Sequence, residues 1–241
     1  MTDATHVPGV LRSLAGVVAA PARTFENLKA RPRALRALLV VGAAMLVLSF
    51  LLLKNPFTGA PGPMLLDIFA SFDASEMPME QRATVEKVMS GPVGYASAAI
   101  VPIAVVVSAL LVALVFTGEN YLLSNTNEFR RVLAVVAHTS VVDLVEFLFK
   151  APLYFAKGSL KVYSSLAILL PEDAADTRLF RLLDAFDAFA IWKLVLLTIG
   201  LAIVTSRPRA QAALLVCGPW LAWVAATVAL HDVFAGISDH G

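Results

Sequence analysis

The chain has 241 residues, of which 59% are hydrophobic and only 15% are charged, and its mean hydropathy is +0.77. Soluble domains carry about 25% charged residues, so this composition excludes an ordinary soluble domain and predicts an integral membrane protein. The net charge of +1, without a block of Lys and Arg, predicts no nucleic-acid partner. The expected surroundings are therefore those of the lipid bilayer.

Residues 1–33 precede the first long apolar segment. Val10, Leu14, Val17 and Val18 fall on one helical face, but this stretch is too short and too mixed to cross a membrane. The pattern favours an interfacial helix on the inner leaflet, ended by Pro21, and a soluble tail is the alternative. We expect no cleavable signal peptide, because the short charged-then-apolar opening is missing.

Five apolar segments follow, each close to the roughly 20 residues that cross a bilayer core about 30 Å thick. They lie at 34–53, 93–117, 131–150, 188–206 and 211–230. Pro102 and Pro219 lie inside the second and fifth segments and predict kinks there. The predicted fold class is all-α: a polytopic bundle of five transmembrane helices over residues 34–230.

Two longer connections, 54–92 and 151–187, are predicted to be outer loops. The polar stretch 76–90 contains strong helix formers and predicts a solvated helix. The apolar run 166–170 is too short to cross and is either re-entrant or interfacial.

The orientation follows from the positive charges, since cytoplasmic segments favour Lys and Arg. Six Lys and Arg residues lie before or within the first turn of the first apolar segment: Arg12, Arg23, Lys29, Arg31, Arg33 and Arg36. The tail 231–241 has none. We expect a protein of the cytoplasmic (inner) membrane with its N-terminus inside and a short outer C-terminal tail.

Ionisable residues inside the third and fourth segments need partners, since a carboxylate at the bilayer centre costs about 2.5–3.5 kcal/mol on insertion scales. Asp143 lies seven residues from the outer end of its segment and Lys193 six residues below Asp187, which is roughly 10 Å and 9 Å of helix. These matching depths predict a structural ion pair that joins the third segment to the fourth. Glu146 has Lys150 at i+4 as a local partner.

His138 shares its segment with Asp143 and Glu146, and the three could bind a metal or relay protons. A metal site needs more ligands than this face offers, and Cys217 is the single cysteine. No phosphate-binding loop or catalytic triad pattern is present. We therefore predict no metal, no cofactor and no enzymatic activity.

Several stretches resemble the bacterial branch of the Yip (Ypt-interacting protein) family of five-span membrane proteins. They are "AAPARTFENLKARPRALRALLV", "MPMEQRATVEKVMSGP", "NEFRRVLAVVAHTSVVDLVEFLFKAPL" and "LLDAFDAFAIWKLVLLTIGLA". The last is similar to the family's Asp-x-Phe-x-x-Trp run ending in Gly-Leu, which places the motif at Asp187, Phe189, Trp192 and Gly200.

The resemblance implies a fold, and for eukaryotic members a role in vesicle traffic with Rab-type GTPases. Rab binding is not transferred, because the Asp-Leu-Tyr-Gly-Pro type motif of that branch is not visible here. Fold-level analogy does not supply a site. The favoured function is membrane organisation or scaffolding with other membrane proteins or with itself, and the alternative is a small ion-coupled permease that uses Asp143, Glu146 and Lys193.

Overall fold

The computed structural model describes residues 9–56, 58–71, 91–124, 128–171, 174–175 and 177–230, with positions 78, 80, 83–84 and 87–88 between them. Within this part of the chain every regular element longer than a single bridge is a helix. The predicted all-α fold class is therefore confirmed. Most of the predicted helix at 76–90 and the whole tail 231–241 lie outside the described residues.

Ten α-helices are labelled here in chain order. They are α1 (Val10–Ala19), α2 (Pro21–Ala30), α3 (Ala34–Leu53), α4 (Pro63–Ser71), α5 (Pro92–Ser124), α6 (Phe129–Thr139), α7 (Val141–Lys157), α8 (Arg178–Asp184), α9 (Ala188–Val204) and α10 (Arg209–Ala229). A short 3₁₀ turn, Leu166–Leu169, lies between α7 and α8.

Four helical segments of the described chain are long and apolar enough to cross a membrane. They are α3, α5, the combined α6–α7 unit and α10. Helix α9, the predicted fourth span, has 17 residues, about 25 Å of helix, which is the lower end of the spanning range. The described residues thus contain four candidate spanning helices where the sequence predicts five, and α9 is a shorter apolar helix packed among them.

Two predicted boundaries differ from those of the structure. Helix α5 continues to Ser124, past the predicted end at 117, and the third span continues to Lys157 instead of ending at 150. The extensions are "GENYLLS" and "APLYFAK", so both helices continue through polar residues, and through Pro152, past the apolar run that set the predicted boundary. Pro102, Pro152 and Pro219 lie inside continuous helices.

The N-terminal segment forms two helices where one was predicted. Helix α1 ends before Pro21 as expected, but Pro21 then begins α2, since proline is well suited to the first turn of a helix. Leu14 and Val17 are buried, and so are Phe25 and Leu28 of α2. Both helices therefore pack on the bundle and contribute to its core.

Polar contacts show which segments share one end of the bundle. Lys29 Nζ donates to Ser206 Oγ (2.6 Å), and Arg207 Nε donates to Asn120 Oδ1 (2.8 Å). The end of α2, the last turn of α5 and the α9–α10 turn therefore meet at one end, which we call the basic end. The opposite end, called the loop end, carries residues 54–56, 58–62, 158–171 and 177–187.

Candidate functional site

The third span breaks next to its histidine. Thr139 Oγ1 donates to the carbonyl oxygens of Val135 and Val136 (3.1 and 2.8 Å), and Ser140 Oγ donates to Val136 O (3.2 Å). His138 Nδ1 lies 2.8 Å from Ala134 O, which makes Nδ1 the protonated nitrogen. Side chains that bond back to carbonyls of the preceding turn compete with the helical ladder and bend helices. This physical cause explains why α6 and α7 are separate helices.

Below this break, α7 and α9 are joined by an ion pair. Lys193 Nζ lies 2.7 Å from both Oδ1 and Oδ2 of Asp143. The side chains retain 31% and 28% exposure respectively, so the protein encloses most of the pair but does not seal it. The structure thus brings together the two residues that the sequence analysis paired by depth.

A second group of charges lies toward the loop end of the same two helices. Lys150 Nζ donates to Glu146 Oε1 (2.5 Å) and to Asp187 Oδ2 (3.4 Å), and only 10% of the lysine side chain is exposed. Ser164 Oγ also donates to Asp187 Oδ2, and the Phe189 amide donates to Asp187 Oδ1 (2.7 Å). Asp187 is therefore both the N-cap of α9 and the partner of a lysine on α7.

The environment of Asp187 shifts its acidity. Burial opposes ionisation of this carboxyl. The opposite effect is larger and comes from hydrogen bonds donated by Ser164 and the Phe189 amide, together with the charge and hydrogen bond of Lys150. The pKa of the Asp187 carboxyl is consequently lower than its usual value. This carboxylate stays charged at neutral pH.

Together these residues form what we call the charge ladder: Asp143, Glu146 and Lys150 of α7 with Asp187 and Lys193 at α9. The three α7 residues are spaced i, i+3 and i+7, which places them on one helical face. Each carboxylate contacts a lysine, so charges that would be costly alone in a membrane are neutralised by their neighbours. Lys150–Asp187 extends the predicted Glu146–Lys150 pair into a link between helices.

The remaining motif residues position α9. Phe189 packs on Phe149 of α7, with ring centroids 5.6 Å apart. A Cβ at Gly200 would lie 2.4 Å from Val135 Cγ1 and 3.2 Å from the Phe25 ring. Only a glycine allows α9 to approach α6 and α2 this closely, as small residues do between membrane helices. Trp192 is half-buried against the same core.

The described residues contain no group of three or more His, Cys, Asp or Glu side chains placed to hold a metal ion. His138, Asp143 and Glu146 each contact a different partner: a backbone carbonyl, Lys193 and Lys150. They do not converge on a shared site. The break at Ser140, which no pattern in the sequence predicted, separates His138 from Asp143 and Glu146.

The basic end contains a cavity of about 780 Å³ lined by Lys29, Arg130 and Arg131. Glu128 also lines it and pairs with Arg131 at 3.3 Å. The charge pattern of the sequence places Lys29 on the inner side but does not bring the end of α2 next to the start of α6. No repeating pattern in the sequence relates those two positions, because the distance between them depends on how α2 packs on α9.

A bundle of apolar helices with charges paired inside its core defines the class: a multi-pass helical membrane protein. Residues 15–230 match the Yip1 domain family, and the chain belongs to that family. It is 28% identical over 191 residues to membrane protein YknW of Bacillus subtilis (strain 168), covering 78% of this chain and 77% of the relative. No solved structure matches significantly.

Proposed function

We propose that the chain is a non-enzymatic protein of the cytoplasmic membrane that organises or scaffolds other membrane components. The observation that carries this proposal is the use of the intramembrane charges. Asp143 pairs with Lys193 across α7 and α9, Glu146 pairs with Lys150 within α7, and the two pairs do not converge on a reaction centre. Ion pairs used in this way hold helices in register.

The proposed topology has the N-terminus inside, α9 as a fifth crossing helix and the C-terminus outside. Residues 1–33 form the cytoplasmic segment, 34–230 the membrane domain and 231–241 the short outer tail. The basic end supports this orientation because it gathers Lys29, Arg130, Arg131 and Arg207. Cytoplasmic leaflets are negatively charged and attract such clusters.

Helix α1 supplies the inner-leaflet contact in this proposal. Leu14 and Val17 point into the protein, whereas Leu11 and Val18 are 70% and 41% exposed. An exposed apolar pair beside a cationic end suits a helix lying at the headgroup boundary. Of the face predicted to be interfacial, Leu14 and Val17 therefore pack in the protein core, and Val18 faces the leaflet.

The partners of such a protein are the bilayer and other membrane proteins or a second copy of the chain. The test is photo-crosslinking in living cells from exposed positions on two spanning helices, Leu39 (63%) and Leu214 (74%). A scaffold should give discrete protein adducts from one of these positions. The buried Ala37 (0%) on the same helix as Leu39 is the matched control and should give none. Lipid adducts alone at both exposed positions would contradict the scaffold.

A small ion-coupled permease is the second candidate. The observation that favours it is the 28% and 31% exposure of the Asp143 and Lys193 side chains at mid-span. Charged atoms with open surface at this depth are more stable beside water than beside lipid. A water-filled crevice between α7 and α9 is therefore the feature that separates the two candidates.

A further inference from the structure

The loop end contains a second cavity that the scaffold does not use. It has a volume of about 820 Å³ and lies between the last turns of α7, the segment 159–163, the 3₁₀ turn and α8. Binding sites for small molecules and cofactors usually measure about 300–1,000 Å³. The cavity is large enough for an organic ligand with a chain.

Its walls are mainly apolar. Leu153, Val162, Ile168 and Leu170 line it, and Phe180 packs edge-to-face on Tyr163 with ring centroids 4.9 Å apart. Among the described residues that line the cavity, the charged ones are Lys157 and Lys161, and both are positive. A complementary ligand has an apolar body and an anionic head.

The lysine-bearing segment is held in place by specific hydrogen bonds. The Leu160 amide donates to Asp67 Oδ2 of α4 (2.6 Å), and the Lys161 amide donates to Ser159 Oγ (3.1 Å). Lys157 Nζ donates to the Lys161 carbonyl (3.1 Å). These contacts keep both lysines beside the cavity without help from a ligand, and preorganisation of this kind reduces the entropy cost of binding.

The neighbouring surface is suited to contact with lipid. Leu166, Ile168 and Leu169 of the 3₁₀ turn are 48%, 68% and 78% exposed, and Leu179 of α8 is 52% exposed. A contiguous apolar patch of this kind marks a membrane or partner surface. Because it adjoins the cavity and the two lysines, the ligand can enter from the leaflet at the loop end.

We propose that this cavity binds one anionic phospholipid, with an acyl chain against Leu153 and Phe180 and the phosphate against Lys157 and Lys161. The site lies apart from the charge ladder and goes beyond the scaffold role. The positive-inside rule predicts few lysines at the loop end of the bundle. A phosphate site there gives a physical reason for Lys157 and Lys161.

Native mass spectrometry of the full chain in a neutral detergent tests the site, with phosphatidylglycerol and phosphatidylcholine as probes. We expect one retained phosphatidylglycerol per chain and about tenfold weaker retention of phosphatidylcholine, since anionic headgroups gain from two nearby lysines. The Lys157→Gln, Lys161→Gln variant should lose this preference. Ala156→Trp, which fills the cavity from α7, should reduce retention of both lipids.

Lys54→Gln is the matched control, because Lys54 lies at the same end but does not line the cavity. It should retain phosphatidylglycerol like the unchanged protein. Equal retention of the two lipids, or a double lysine variant that keeps its preference, overturns the proposal. Thermal melting of each variant in detergent separates loss of the site from loss of the fold.

Discussion

Lys193 Nζ lies 2.7 Å from both carboxylate oxygens of Asp143, although the two residues are separated by 50 positions in the chain. The contact joins α7 to α9, which at 17 residues is shorter than each of the four candidate spans. The ion pair therefore gives this short helix a polar link to α7 in addition to its apolar contacts. Lys150–Asp187 adds a second link nearer the loop end.

The first prediction concerns this pair. Asp143→Asn and Lys193→Met should each leave one charge without its partner and lower the melting temperature in detergent. Losing one member of a fully buried pair costs about 3–5 kcal/mol, and partial exposure here reduces the expected loss to about 1–3 kcal/mol. The double variant should recover part of it, because no lone charge remains.

The double-variant cycle needs a control that removes charge elsewhere. Arg130→Gln changes an exposed cation at the basic end and should leave the melting temperature nearly unchanged. Purely additive losses for Asp143→Asn and Lys193→Met would show that the contact does not couple the helices.

The second prediction concerns acid. Because the folded-state pKa of Asp187 is lowered, the stability it contributes is present above the unfolded pKa of about 3.9 and is lost as pH falls through the folded pKa. Asp187→Asn keeps an N-cap but removes the charge. Its melting temperature should lie below that of the unchanged protein at pH 7, and the gap should close below about pH 4. A gap that is constant with pH would assign the loss to packing.

The third prediction concerns Gly200. Gly200→Ala places a methyl group 2.4 Å from Val135 Cγ1, so α9 must move away from α6, at a cost of about 1–3 kcal/mol. Gly218→Ala in α10 is the matched control, since a Cβ there meets nothing within 4 Å. Adding Val135→Ala to Gly200→Ala should restore much of the melting temperature. No recovery would mean that the Phe25 contact, not Val135, is limiting.

The fourth prediction concerns topology. Reporter fusions should place the N-terminus in the cytoplasm and a fusion at Gly241 outside, as five crossings require. Fusions in the 158–177 segment and after Ser206 should report opposite sides if the 17 residues of α9 cross. A cytoplasmic signal at Gly241, with the same side reported on both flanks of α9, would show that this helix does not cross.

The fifth prediction separates scaffold from permease. In a Cys217→Ser background, a cysteine at position 143 should resist a membrane-impermeant thiol reagent if the ladder only joins helices. Arg130→Cys, exposed at the basic end, is a positive control in inverted vesicles. Rapid labelling at position 143 would establish a water path to the ladder and favour the permease.

The sequence by itself determined the class of protein and most of its helices. Apolar length is a local property, so the apolar segments were sufficient to locate α3 without error and to place α9 and α10 within two residues, whereas α5 and α7 each continue seven residues past their predicted ends. The motif residues that connect the chain to the Yip1 family are also local in sequence. Asp187 is an N-cap, and its position before an apolar run carries that signal.

Only the tertiary structure decided how those helices use their polar and small residues. The break at Ser140 depends on three neighbouring side chains that bond back to carbonyls, and propensity alone does not weigh them against the helix ladder. The packing of Phe25 on Gly200 joins positions 175 residues apart, and no periodicity relates them. Lys150–Asp187 likewise joins the end of the predicted third segment to the cap of α9, and that contact depends on how α7 lies beside α9. Contacts between distant segments follow from the packing of whole helices, so they appear only once the bundle is assembled.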